Sequence, residues 1–113
     1  MEPIATLSGY RVLWIMALFD LPVSTKAERK RASRFRMFLL DEGFLMMQFS
    51  CYIRFTAGKE QAEALTRRVG RAVPDPGKVD VIWFTDKQYE GIRSFRGHGA
   101  DARPARPGQL TLF

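Results

Sequence analysis

Eight consecutive apolar residues, Val12-Leu-Trp-Ile-Met-Ala-Leu-Phe19, stop abruptly at Asp20-Leu21-Pro22. A run of this length, closed by a turn signal, predicts a strand buried on both faces, because a half-exposed strand alternates and a helix runs longer. Asp20 is then left at the strand's C-terminal end. The run is also too short to span a membrane.

A helix follows. Thr25 and Glu28 have the spacing of a capping box, in which each side chain satisfies a backbone N–H of the other. The helix should extend to about Asp41, with Gly43 as its stop. Ala32, Phe35 and Leu39 form its core stripe. Lys26, Lys30 and Arg34 step by four along the opposite face, flanked by Arg29 and Arg36. Phe44 to Gln48 reads as a second strand and Ser50 to Thr56 as a third. In the third, Cys51, Ile53 and Phe55 share one face and Tyr52 and Arg54 the other. A second helix spans about Lys59 to Val73 on the stripe Ala62, Leu65, Val69 and Val73, and Pro74-Asp75-Pro76-Gly77 ends it. Val79 to Phe84 is a fourth strand, and Thr85 with Gln88 caps a short helical segment reaching Arg93.

The order strand, helix, strand, strand, helix, strand is the split βαβ pattern of an α+β, ferredoxin-like βαββαβ fold, an antiparallel sheet with both helices on one face. The other face, expected to carry Tyr52 and Arg54, is left to cover, and a two-fold partner is one way to bury it. The 113 residues fit one such domain, over 10–95. Residues 1–9 form an N-terminal extension. Residues 96–108, where Gly and Pro interleave with Arg96, Arg103 and Arg106, read as a flexible basic linker. Residues 109–113 alternate again, predicting an additional short C-terminal strand.

Charge narrows the partners. The formal net charge is +6 and the sequence pI is near 10.0, which favours a polyanion over a neutral small molecule. The row Lys26, Lys30, Arg34 runs for about 12 Å, a span that suits contact with successive phosphates and not base reading. A merely solvated surface is the alternative. Cys51, the single cysteine, has no disulfide partner within the chain and no zinc-site neighbours, so a reducing compartment is expected. No signal-peptide pattern opens the chain, and a cytoplasmic location is expected.

Asp20 is the candidate for metal chemistry. Magnesium keeps most of its waters and uses one or two carboxylates. A lone aspartate is a poor site, whereas two copies meeting across a dimer axis make a better one. The residues also allow Asp20 a local role, capping the turn into Leu21-Pro22. His98 reads as a solvated side chain, and no Gly-rich phosphate loop or Ser-His-Asp set is present.

Several stretches together resemble the second family of CRISPR-associated proteins, the Cas-two proteins of type II systems. They are Met16-Ala-Leu-Phe-Asp-Leu-Pro22, Glu28-Arg-Lys30, Phe35-Arg-Met-Phe-Leu-Leu40, Glu42-Gly-Phe44, Gln48-Phe-Ser50, Tyr52 and Thr85-Asp-Lys-Gln-Tyr89. The resemblance implies a ferredoxin-like homodimer in CRISPR spacer acquisition. Such a dimer joins the integrase, the Cas-one protein, and holds the middle of a protospacer duplex DNA, with RNA as an alternative ligand. It also implies a magnesium-dependent endonuclease activity, with Asp20 as both metal-binding and catalytic residue. Lys26, Arg29, Lys30, Arg34, Arg103 and Arg106 are then the nucleic-acid contacts. Leu110, Leu112 and Phe113 become the strand that docks on the neighbouring subunit and integrase. No general base is evident beside Asp20, so the scaffold role is expected to be the main one. The rival reading is a nonenzymatic ferredoxin-like RNA-binding domain, which stacks bases on third-strand aromatics.

Overall fold

The structure, a computed structural model, describes residues 12–97. The elements are β1 (Leu13–Asp20), α1 (Lys26–Asp41), β2 (Leu45–Gln48), β3 (Cys51–Thr56), α2 (Lys59–Ala72), β4 (Lys78–Thr85) and α3 (Asp86–Glu90). The four strands form one sheet in the order β2-β3-β1-β4, every pair antiparallel. This is the ferredoxin-like α+β arrangement expected from the element order. The expected C-terminal strand at Leu110, Leu112 and Phe113, the cations Arg103 and Arg106, and residues 1–9 lie outside the described residues.

α1 and α2 pack on one face of the sheet. Leu13, Ile15, Ala17 and Phe19 of β1 meet Phe35 and Leu39 of α1 and Ala62, Leu65 and Val69 of α2 in one buried cluster. The N-terminus of α1 is set as its spacing requires. Glu28 N donates to Thr25 Oγ1 (3.0 Å), and Glu28 Oε1 accepts from the backbone N–H groups of Ser24 and Thr25 (2.9 and 3.0 Å). At the other end Gly43 takes φ +92°, and Phe44 N–H reaches back to Leu39 O (2.9 Å). A side chain at 43 would be strained by that φ and would meet Arg54 Nε at 3.0 Å.

Two expectations are corrected. The first concerns β1, which is buried on one face only: Leu13, Ile15, Ala17 and Phe19 are buried, while Trp14, Met16 and Leu18 between them are partly exposed. Its second face is apolar because α3 covers part of it. Trp14 Nε1 donates to Asp86 Oδ1 (2.9 Å), and the Trp14 ring stacks on Tyr89 with centroids 4.0 Å apart. Leu45, Phe55 and Ile82 stay about half exposed on the same face.

The second correction reverses the faces of β3. The register Ala17↔Tyr52 and Ile15↔Arg54 places both residues on the helix side. Tyr52 is 3% exposed and lies against Phe19. Arg54 closes the end of α1, its Nε donating to Glu42 O (2.8 Å). Alternation along a strand sorts residues into two sets but does not say which set faces the core; the pairing with β1 decides that.

Cys51 falls on the side away from the helices and is buried between its neighbours, and burial pushes its thiol pKa up. The thiol is thus protonated in the folded chain at pH values where an unfolded cysteine already ionises, near pH 8.5. Folding stability held by that protonation is present below the unfolded pKa and is lost as pH rises through the folded one. At pH 8, labelling with a soluble disulfide reagent should be slow for the native chain and fast in denaturant. Equal rates in both would show that Cys51 is accessible.

Candidate nucleic-acid and metal site

Asp20 is the last residue of β1 and is exposed. Its position along the strand sends it to the face opposite the helices, in line with Leu18 and Met16. In the ladder it stands opposite Lys78, and Leu18 stands opposite Asp80. Lys78 Nζ is 3.4 Å from Asp80 Oδ2, both side chains well exposed. Such a pair contributes little to stability, typically under about 1 kcal/mol.

The β2–β3 turn completes the surroundings. Phe19 N–H donates to Ser50 O (3.0 Å), which holds the turn against the end of β1. Asp20, Asp80, Lys78, Gln48, Phe49 and Ser50 thereby share a shallow concavity of about 440 Å³. Sequence reading identified Asp20 and missed the other five. Asp80 and Lys78 sit about sixty residues further along the chain, and only the β1–β4 pairing brings them to Asp20.

Magnesium fits this setting in part. Asp20 offers hard carboxylate oxygens at an open position, suited to an ion that keeps most of its waters. Asp80 lines the same concavity but is already paired with Lys78. No cluster of three metal-ligating side chains exists among the described residues. A single chain therefore supplies one or two carboxylates, and a second copy would be needed to add more.

The basic residues lie elsewhere. Lys26, Arg29, Lys30 and Arg34 are all exposed on α1, in the layer on the other side of the sheet, and none of them lines the concavity around Asp20. Lys26, Lys30 and Arg34 make no ion pair among the described residues. Arg29 is committed differently: its Nη1 donates to Val23 O (3.1 Å) and Ser24 O (3.2 Å), bracing the loop between β1 and α1. Two acceptors at that nitrogen leave the rest of the guanidinium for a phosphate. Arg36, read as a flank of the basic face, instead turns its guanidinium over the Phe49 ring, 4.8 Å from the centroid.

No helix among the described residues is long and apolar enough to cross a membrane.

A family model described as CRISPR associated protein Cas2 matches residues 13–92. Among curated relatives, the CRISPR-associated endoribonuclease Cas2 of Paracidovorax avenae is 50% identical over 107 residues, 95% of this chain and 99% of that protein. The protein of the same name from Flavobacterium psychrophilum is 46% identical over 112 residues, 99% of this chain and 97% of its own length. Among solved structures, Streptococcus pyogenes Cas2, crystallised at pH 6.5, superposes with a TM-score of 0.58 at 12% identity, over 74% of this chain and 99% of that one. That last likeness is one of fold. The family match spans β1 through α3 and takes in Asp20, the α1 cations and the Gln48–Ser50 turn, so the chain belongs to the CRISPR-associated Cas2 family.

Proposed function

We propose that this protein acts in CRISPR spacer acquisition as a homodimer that holds duplex DNA beside the integrase, and that Asp20 serves a secondary, magnesium-dependent phosphodiester cleavage. The observation that carries this reading is the separation of two surfaces. A row of unpaired cations lies on α1, in the helix layer. An exposed carboxylate lies at the end of β1, on the sheet face that the long helices leave uncovered. The first surface suits a polyanionic backbone. The second suits pairing, because the half-exposed Leu45, Phe55 and Ile82 favour burial against a second copy. Sheet-to-sheet pairing about a two-fold axis would bring two Asp20 carboxylates toward one hydrated magnesium. That ion would neutralise charge developing on a phosphodiester. The endoribonuclease name of the relatives supports a cleaving site of this kind, and RNA is the alternative substrate.

The binding half of the proposal is tested by charge reversal. Lys30→Glu with Arg34→Glu should weaken duplex binding for all sequences alike and flatten its dependence on salt, since each lost phosphate contact removes about one released counterion. The double variant should show roughly a tenfold or larger rise in Kd near physiological salt. An unchanged Kd would reduce the α1 row to solvated surface. The assembly half is tested by mass and by co-migration with the integrase from the same locus on duplex DNA. A monomer at micromolar concentration would overturn it.

A further inference from the structure

We infer that Phe49 is a stacking platform for one unpaired nucleobase, which makes single-stranded nucleic acid the substrate class of the concavity at Asp20. The inference deepens the reading of Asp20 as a cleavage site and rests on it. Phe49 sits at the β2–β3 turn and is 71% exposed, an unusual position for a large apolar ring. The ring is not left to move freely. The Arg36 guanidinium lies over it, 4.8 Å from the centroid, and Arg36 Nε is buried with no hydrogen-bond partner among the described residues. The guanidinium thus gives up hydrogen bonding at that nitrogen to sit over the ring. A cation backing one π face orients the ring and leaves the rest of its surface to a ligand.

The surroundings supply the other groups that a nucleotide needs. Gln48 and Ser50, on either side of Phe49, carry an amide and a hydroxyl able to meet a base edge. Lys78 is a point charge for a phosphate, and Asp20 and Asp80 are carboxylates for a hydrated cation. The concavity's volume, about 440 Å³, falls in the usual range of small-ligand sites, roughly 300–1,000 Å³. A base in a duplex is stacked on its neighbours and cannot offer a face to this ring. An unpaired base can, and aromatic stacking is the common way that proteins hold single strands.

The experiment is fluorescence anisotropy in excess chelator, so that no metal-dependent step contributes. The probes are a labelled single strand of about ten nucleotides without self-pairing, and a duplex. Phe49→Ala should weaken single-strand binding about tenfold or more, the typical effect of losing one stacked base, and leave duplex binding as it was. Phe49→Trp should restore it. With the parent protein, an abasic residue scanned along the single strand should reproduce the loss at one position. Unchanged single-strand affinity in Phe49→Ala would overturn the inference, as would an equal loss for both probes. So would a fall in oligomeric mass, which would make the ring a subunit contact. Loss of single-strand selectivity in Phe49→Ala, together with unaltered magnesium-dependent cleavage in Asp20→Ala, would keep the platform and overturn only its tie to Asp20. A parent protein that binds neither probe would overturn both readings.

Discussion

Asp20→Ala is expected to abolish magnesium-dependent cleavage while leaving duplex binding and integrase assembly intact. A cation at a scissile phosphodiester lowers the barrier by several kcal/mol, and each ~1.4 kcal/mol is tenfold in rate. Removing the principal carboxylate should therefore cost a hundredfold or more, roughly. Nothing in the fold depends on this side chain: it is exposed, at a strand end, and outside the core. Binding rests on the α1 cations, which are on another layer. Cleavage and spacer integration should be measured on the same purified variant. Lost cleavage with preserved integration would assign Asp20 to a dispensable nuclease site. Lost integration with an intact dimer would defeat the scaffold reading. Cleavage unaltered by the substitution would place the active groups elsewhere.

The largest effect on stability is expected at Phe35. Its ring is 2% exposed, sits edge-on to Phe19 with centroids 5.2 Å apart and faces Phe38 at 6.2 Å. It joins α1 to the buried face of β1. Phe35→Ala should cost about 3–5 kcal/mol through lost burial and an unfilled cavity. Against a typical total of about 5–15 kcal/mol, that removes a large fraction of the domain's stability. In urea the midpoint should fall by more than about 1 M. Met37→Ala, two residues along and 53% exposed, should change stability by roughly 0.5 kcal/mol or less. Similar midpoints for the two variants would show that α1 is not held to the sheet through Phe35.

The comparison of these neighbours shows how much of α1 can be read from its sequence. Its bounds, its capping box and its buried stripe follow from local chemistry. Thr25 and Glu28 satisfy backbone donors within one turn, and Ala32, Phe35 and Leu39 recur at the helical period. Gly43 ends the helix because the chain there needs a positive φ. The element order was enough to imply the sheet order, since few unknotted ways exist to close that pattern.

Tertiary structure decided what local periodicity cannot. Tyr52 joins the core and Phe55 stays exposed because the ladder with β1 assigns the faces of β3; the sequence carries only their alternation. Arg29 and Arg36 look equivalent to Lys30 and Arg34 along the helix. One instead braces the preceding loop and the other backs Phe49, because acceptors and a ring from other segments fall within their reach. Asp20 was legible as a carboxylate closing a buried strand. Its companions Asp80, Lys78, Gln48 and Phe49 were not, for they come from β4 and the β2–β3 turn. The amino-acid sequence by itself determined the elements, their caps and the family, all of which rest on short-range chemistry and recurring motifs. The neighbourhood of Asp20 depends on strand pairing between residues about sixty positions apart, and only the folded sheet brings those groups together.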